Sequence, residues 1–555
     1  MIEEQRIKVI FEQLVKIPSD TGTKKERDVE ELLLKMISEM AYFSKEGIYA
    51  QDKGFYPIEG DILERGIVWA MVKGESSQTV VFMHHHDVVD VSDYRELAPF
   101  AYEMKTIKEK LKLRGDLPKE VEEDLLSGEW LFGRGTADMK AGAAIQLAVL
   151  EDYSQQEIRP YNLLLLSVPD EENMSIGMRK GVNLLKTLKD KYHLSYELLI
   201  NSEPHEREEK TCGTLYTGSV GKLMPVIYTR GVSTHIGKSY DGFNPLLVAE
   251  KIASKLELNT DFCDVANGEI TPPPSMIYLR DRKTEYNVST PQSIGMYFSL
   301  LLLTSNVEEV LLKLKRLSEK AFEEAIHQVE RNYQNYCELF YKDRIVRGCE
   351  DIMEQVSSVC SRESIRANVK SFGEIYTLAY KVQGEVFVRE YKAYLKGIKI
   401  QIEKGKLSLP ESTFLLIEKV LSYIPSKEPM VVIAFAPPFY PSVHYENREL
   451  VNRLSHFAKV HWHETYIEKK YFMGISDMSY VGKVSDDKAA EHLKEHMPQW
   501  QEIYEIPFKA INEIAMPMIN IGPWGKDLHQ YSERVYKKDV FEQIPRLLTY
   551  LLKYR

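Results

Sequence analysis

Three imidazoles and a carboxylate crowd one point of the chain. His84, His85, His86 and Asp87 follow Thr79-Val80-Val81-Phe82-Met83, an apolar run that reads as a buried strand, and precede Val88-Val89-Asp90. Other stretches repeat the arrangement. Asp170, Glu171 and Glu172 follow NLLLLSVP, Glu203 follows ELLINS, and Asp138 sits between the turn Gly133 to Gly135 and a small-residue helix from Ala141. His529 and Glu533 follow PMINIGPWGKDL. Taken singly, each has an ordinary reading, because an acid after a strand is usually a turn or helix cap and a lone histidine is usually packed or exposed. Together, two histidines and several carboxylates at strand ends form the imidazole-and-oxygen donor set that suits a divalent ion such as zinc, manganese or cobalt.

Such a set works only if the fold brings the strand ends to one place. From residue 1 to about 212, apolar runs alternate with helical patterns, which predicts an α/β domain with a mostly parallel sheet and helices on both faces. In open sheets of this kind, ligands bind outside the carboxyl ends of the strands. Two more apolar runs, MVVIAFAPP and PMINI, lie beyond residue 430, so the sheet is expected to be completed by the C-terminal stretch around an insertion. The insertion opens with a strand, helix, strand, strand texture and continues as helix rich in Lys, Glu and Tyr. The reading is therefore a catalytic domain of residues 1–212 and 415–555, an inserted α+β domain of 213–330, and a helical extension of 331–414.

Composition narrows the function classes. The chain has 555 residues, 44% hydrophobic and 28% charged, enough for two or three domains and a large core. A net charge of -11 speaks against nucleic acid, whose phosphates need a basic face. No run reaches the roughly 18 apolar residues that span a bilayer. At the start, Ile7, Ile10, Phe11 and Leu14 share a helical face, which reads as a packing helix and not a secretory leader. Five cysteines with no C-x-x-C pair indicate neither a disulfide framework nor a zinc knuckle, and the expected compartment is the cytoplasm.

At this point the sequence resembles the M20 metallopeptidases and aminoacylases. The resemblance covers roughly residues 1 to 300 and 430 to 555, with five motifs in family order. H-x-D-V-V matches His85 to Val89, G-R-G-x-x-D-M-K matches Gly133 to Lys140, and D-E-E-x-x-S-x-G matches Asp170 to Gly177. E-P matches Glu203-Pro204, and the late G-P followed by H-x-x-x-E matches Gly522-Pro523, His529 and Glu533. The resemblance implies a zinc-peptidase-like fold with a lid domain and two divalent ions, zinc first, with manganese or cobalt as alternatives. It makes His85, Asp138, Glu172, Glu203 and His529 the metal ligands, with Asp138 bridging: His85 and Glu203 complete one ion, Glu172 and His529 the other. Asp87 becomes the carboxylate that orients His85, and Glu171 the general base. His84 and His86 are read as lining the site. His235, in RGVSTHIGKSYDGFNP, becomes the oxyanion donor reaching across a lid-mediated homodimer, with Asn244 trailing it at the substrate. A cis peptide at Asp138-Met139 is implied too. Size and the helical insert resemble arginine-utilisation members of the family, which implies arginine catabolism as the context.

Departures matter as much. The stretch between Asp87 and Asp138 holds an extra charged segment, IKEKLKLRGDLPKEVEEDLL, read as a surface insertion because its apolar content is low, with a cover over the site as the alternative. Family members that hold a substrate α-carboxylate carry D-x-R after N-V-x-P, where this chain has Phe298 and Leu300. Either Arg280 or Arg282 replaces the clamp, or the substrate presents no carboxylate there. Two histidine patterns read as decoys. His492 and His496 spell H-x-x-E-H without a third ligand, and His461-Trp462-His463 alternates along an expected strand.

Two function classes follow. One is a dinuclear metal hydrolase that deacylates an N-acyl amino acid or related amine, with an exopeptidase or dipeptidase as its near variant. The other is a non-catalytic ligand-binding protein on the same fold. Its partners would be a small acylated amino acid or peptide, and neither nucleic acid nor membrane.

Overall fold

A computed structural model describes residues 2–44, 49–346, 365–484 and 488–554. Residues 347–364 of the expected helical extension, with Cys349 and Cys360, lie outside the described residues. The chain forms two compact units. The first comprises Met1–Gly221, Tyr440–Ser485 and Ile506–Arg555, and the second Lys222–Phe439 and Asp486–Glu505.

The first unit is built on an eight-stranded sheet. Its spatial order is Lys53–Pro57, Gly66–Val72, Asn162–Val168, Gln78–His85, Ser195–Asn201, Met518–Asn520, Cys212–Tyr216 and Thr465–Lys469. Gln78–His85 runs parallel to both neighbours, and Ser195–Asn201 parallel to Met518–Asn520. The three strands that end in reactive residues are thus adjacent and point the same way. Every residue of Asn162–Val168 is buried, as a strand covered on both faces requires. Alternate side chains divide between the faces. Val80, Phe82, Leu163, Leu165, Leu198 and Ile200 join one core with the helices Glu4–Val15, Glu26–Glu39 and Ala141–Ser154. Toward the other face, Gly181 of helix Ile176–Tyr192 approaches Ile67.

Between Asp87 and Asp138 the extra segment forms two helices, Met104–Lys112 and Lys119–Ser127. Its few apolar residues are placed to count: Ile107, Leu111, Val121 and Leu125 are buried with Trp130, Phe132 and Trp524 in a small core of their own.

The second unit contains a five-stranded sheet in the order Ser275–Asp281, Ser293–Leu302, Gly221–Arg230, Met430–Tyr440, Val369–Ser371. MVVIAFAPPFY, expected in the first sheet, is therefore a strand of this one. A wholly buried apolar run declares that both its faces are covered, and it carries no label for which sheet covers them. Helices Phe372–Gln383, Glu385–Glu403 and Leu409–Leu421 pack onto Met224, Val226, Val432 and Ala434 of this sheet. The described part of 331–414 is thus a layer of the second unit, and the chain crosses between units at Gly221/Lys222 and Phe439/Tyr440 instead of 212 and 415, and again at Ser485/Asp486 and Glu505/Ile506. Phe298 and Leu300, at the missing clamp positions, are 0% and 2% exposed in the strand Ser293–Leu302.

Candidate metal centre

Three strand ends, one turn and one hairpin deliver the donors. His85 closes the strand Gln78–His85, Glu171 and Glu172 follow Asn162–Val168, and Glu203 follows Ser195–Asn201. Asp138 lies in the turn before helix Ala141–Ser154, and its peptide to Met139 is cis. Gly135 of that turn has φ +72, and a Cβ there would lie 2.6 Å from Val88, so only glycine fits. His529 (φ +61) sits in the loop of the hairpin formed by Gly525–Lys526 and Arg534–Tyr536.

The side chains meet around Asp138. His85 Nε2 lies 2.9 Å from Asp138 Oδ1 and 3.4 Å from Glu203 Oε1. His529 Nε2 lies 3.2 Å from Asp138 Oδ2 and 3.0 Å from Glu172 Oε2. Two trios result, His85–Asp138–Glu203 and Asp138–Glu172–His529, each with its donor atoms within 4.8 Å of one another. Asp138 offers one oxygen to each trio. Glu171 belongs to neither, its Oε2 being 3.9 Å from His85 Nε2.

A layer of buried charge holds these groups in place. Asp87 departs from its expected task. Its carboxylate accepts the backbone N–H groups of Glu171 and Glu172, at 3.1 Å each. His85 Nδ1–H is taken by the Asp87 backbone carbonyl at 2.9 Å, with the carboxylate 3.5 Å away. Asp87 thus couples the histidine to the acidic turn. Glu533 accepts the N–H groups of Ala137 (3.0 Å) and Asp138 (3.2 Å), and its other oxygen takes Arg134 at 2.8 Å. Asp170 (φ +68) starts the acidic turn and is gripped by Arg65, which also binds Glu26 and Asp61.

The electrostatics favour cations. Burial, followed by the Asp138 charge, pushes Glu172 up to about 7 and Glu203 up to about 8. Burial also pushes Glu171 well above the carboxylate range. Hydrogen bonds to Asp138 and Glu172 lift His529 to about 11. For Asp138, burial is outweighed by the hydrogen bonds from His529 and His85, which hold it well below its usual value. Protons thus gather among the carboxylates where negative charge is in excess, and a divalent ion at either trio would displace them. The donor chemistry, one imidazole and two carboxylates per position, fits zinc, manganese or cobalt.

Other expected site residues lie elsewhere. His84 is fully buried and bonded to Gln146, and His86 to Ser167, and neither enters a donor trio. His235, Asn244, Arg280 and Arg282 belong to the second unit. His235 is exposed, and its Nδ1 accepts the Gly237 N–H at 3.1 Å. Asn244 caps helix Pro245–Leu256 through its carbonyl oxygen. Arg282 is engaged by Glu411 and Glu418 over the Phe414 ring, whereas Arg280 is exposed. His461-Trp462 ends the helix Arg448–Trp462, and His463 is its left-handed cap, so no strand alternates there. His492 and His496 lie on helix Ala489–His496, outside both trios. Arg65 and Asp477 escaped the sequence reading. Asp477 is buried, its carboxyl pushed up to about 7 by that burial, and its charge bears on Glu171. No spacing or run marks either residue.

The sequence matches the family described as Peptidase family M20/M25/M40 over residues 81–491. It is 30% identical over 556 residues to the uncharacterised protein YqjN of Bacillus subtilis, covering 98% of this chain and 95% of that one. It is 28% identical over 568 residues to protein RocB of the same organism, covering 98% and 94%. Among solved structures, the fold is similar to the M20 family metallo-carboxypeptidase Sso-CP2 of Sulfolobus solfataricus, with a TM-score of 0.52 at 12% identity, covering 100% and 99% of the chains. No helix among the described residues is long and apolar enough to cross a membrane.

Proposed function

Since the chain belongs to the M20/M25/M40 peptidase family and is a metal-dependent hydrolase, we propose that it cleaves an amide bond, removing the acyl group from an N-acyl amino acid or related amine. The observation that carries this reading is the pair of donor trios sharing Asp138, with Glu171 beside them and outside both. A co-catalytic pair of ions needs a bridging carboxylate, and hydrolysis needs a base that is not itself a ligand.

In this reading His85 and Glu203 hold one ion, Glu172 and His529 the other, and Asp138 both. Bound there, the ions would acidify a water and polarise the substrate carbonyl. Glu171 takes the proton of the attacking water and returns it to the departing amine. Asp87 keeps base and ligand in register, since one carboxylate holds the N–H groups of both Glu171 and Glu172. With Nδ1 of His235 accepting from Gly237, a neutral ring carries its proton on Nε2, the donor an oxyanion would need if a homodimer brings His235 to the site. Asn244 keeps its amide N–H groups for substrate, because only its oxygen serves the helix cap.

The substrate's carboxylate is the open point of recognition. Leu300 and Phe298 are core residues, and Arg282 already has two glutamate partners, so Arg280 is the arginine left to offer a clamp. N-acyl arginines head the substrates to try, on the resemblance to arginine-utilisation members. Amine release from a panel of N-acyl amino acids and dipeptides, by protein loaded with zinc, manganese or cobalt, tests the proposal against Glu171→Gln. Activity on acyl amino acids, lost in the variant with ions retained, is the expected result. Activity on dipeptides alone would make the enzyme an exopeptidase. Equal turnover by the variant would refute the role of Glu171.

A further inference from the structure

The segment that sets the first unit apart from its motifs, the pair of helices inserted between Asp87 and Asp138, reaches the loop of a metal ligand through Arg114 over the Tyr531 ring and through a chain of charged contacts. His529 is the exposed member of the ligand set, its side chain half accessible at 50%, and it sits in a seven-residue hairpin loop, 527–533. Two residues of that loop, Asp527 and His529, have left-handed backbone, at φ +52 and +61. Non-glycine residues hold that conformation only where surrounding contacts over-determine it.

The over-determining contacts converge on Arg534. This guanidinium is 1% exposed, lies over the Trp130 and Phe132 rings, and donates to the Asp527 carboxylate and to the Ser532 carbonyl at 3.2 Å, so it bridges the two sides of the loop. Ser532 closes the ring with a 2.7 Å hydrogen bond to the same Asp527 oxygen. What fixes Arg534 from the other side is Asp124, on inserted helix Lys119–Ser127. Asp124 Oδ2 accepts Arg534 Nε at 2.7 Å and Lys526 Nζ, from the opposite hairpin strand, at 2.9 Å. A single carboxylate of the insertion therefore ties both strands of the hairpin at the level where its loop begins.

We propose that Asp124 is a positioning residue for His529, and that the inserted helices serve to build the second of the two ion positions. The inference rests on the metal reading above and adds to it. An ion at Asp138–Glu172–His529 depends on a loop that the insertion holds in shape, whereas His85 and Glu203 are set by strand ends, and the shared Asp138 by the turn before helix Ala141–Ser154 and by Glu533 at the end of the loop, which Arg134 holds apart from Asp124. The two positions should then respond differently to the same distant change.

The test is the stepwise titration of the ion-free full chain with Zn(II) against a chromophoric chelator, together with Co(II) absorption spectra. In Asp124→Asn, the packing is kept and the charge removed. The expected result is a weakening of one binding step by about 10–100-fold, the range for lost partners of metal ligands, with the other step unchanged. Hydrogen exchange of the 527–533 amides should quicken in the same ion-free variant. Glu123→Gln, an exposed carboxylate on the same helix that faces Lys119 and not the hairpin, is the control and should leave both steps intact. Asp527→Asn breaks the clamp at its other end and should reproduce the effect, which covers the case in which Asp124→Asn fails to fold. Two unchanged steps in both variants, or loss of folding in both, would overturn the proposal, the latter by making the clamp a requirement of the fold alone. A wild-type chain that takes up no second ion would bring down the metal reading itself, and this inference with it.

Discussion

Replacing Glu533 by Gln keeps the shape of the side chain and removes its charge. The oxygen that accepts the Ala137 and Asp138 N–H groups can still do so, and the amide nitrogen is left facing Arg134 Nη1, a donor against a donor. Arg134 and Glu533 are each 1% exposed at the side chain, so water cannot step in. Breaking a buried pair on one side costs about 3–5 kcal/mol when the remaining charge has nothing else. Here Arg134 keeps Asp93 at 2.6 Å and the Asp90 carbonyl at 3.2 Å, which places the loss nearer the 1.5–3 kcal/mol of one charge-assisted hydrogen bond. Glu533→Ala strips two buried N–H groups as well, at about 1–3 kcal/mol each, and should cost roughly 5 kcal/mol or more. Urea unfolding followed by tryptophan fluorescence reads the first unit, because Trp69, Trp130, Trp462 and Trp524 lie in it and Trp500 in the other. With a slope of about 3 kcal/mol per M, Glu533→Gln should lower the midpoint by somewhat under 1 M and Glu533→Ala by roughly twice that. A Gln variant as stable as wild type, or an Ala variant no worse than Gln, would refute the reasoning that Glu533 acts through these three donors.

Two further outcomes follow from the same geometry. Asp138→Asn should weaken both ion-binding steps, since each of its oxygens serves one trio, while His85→Ala should abolish one and spare the other; calorimetric titration with Zn(II) distinguishes them. In the second unit, burial depresses His496, Glu495 opposing and His492 adding to the effect. As pH falls below about 6.5 the unfolded chain gains a proton that the folded chain resists, so stability falls on acidification; His496→Gln should flatten that slope between pH 6.5 and 5, read as hydrogen exchange of residues 489–505.

Legibility differed by kind of residue. The donors could be read because chemistry at a strand end leaves a local mark: an apolar run stops and a charged group follows at once, as at His85, Glu172 and Glu203. Their supports leave none. Arg65 acts on Asp170 across 105 positions and Glu533 on Asp138 across 395, and nothing in the neighbourhood of either announces the partner. Asp87 was read from its side chain alone, while half of its work is done through backbone groups, its own carbonyl and the N–H groups of the turn it faces. The inserted helices misled for a related reason. Low apolar content suggested a surface feature, yet Ile107, Leu111, Val121 and Leu125 form a core with Trp130, which follows directly, and with Trp524, which nothing nearby in the sequence announces. His461-Trp462-His463 shows the limit of period-two reasoning, since three residues can alternate by chance at the end of a helix.

The first unit is assembled from three separate lengths of chain, and this fixes when it can exist during synthesis. Among the described residues, strand Cys212–Tyr216 has as its sheet neighbours Thr465–Lys469 and Met518–Asn520, and Ser195–Asn201 lacks one of its two until the latter appears. At about 5–20 residues per second, these edges wait on the order of half a minute after leaving the ribosome. The second unit closes at Glu505, before the last strand of the first has been made. The nascent protein therefore finishes its later unit first and carries an open sheet edge meanwhile, the state in which a strand invites a foreign partner.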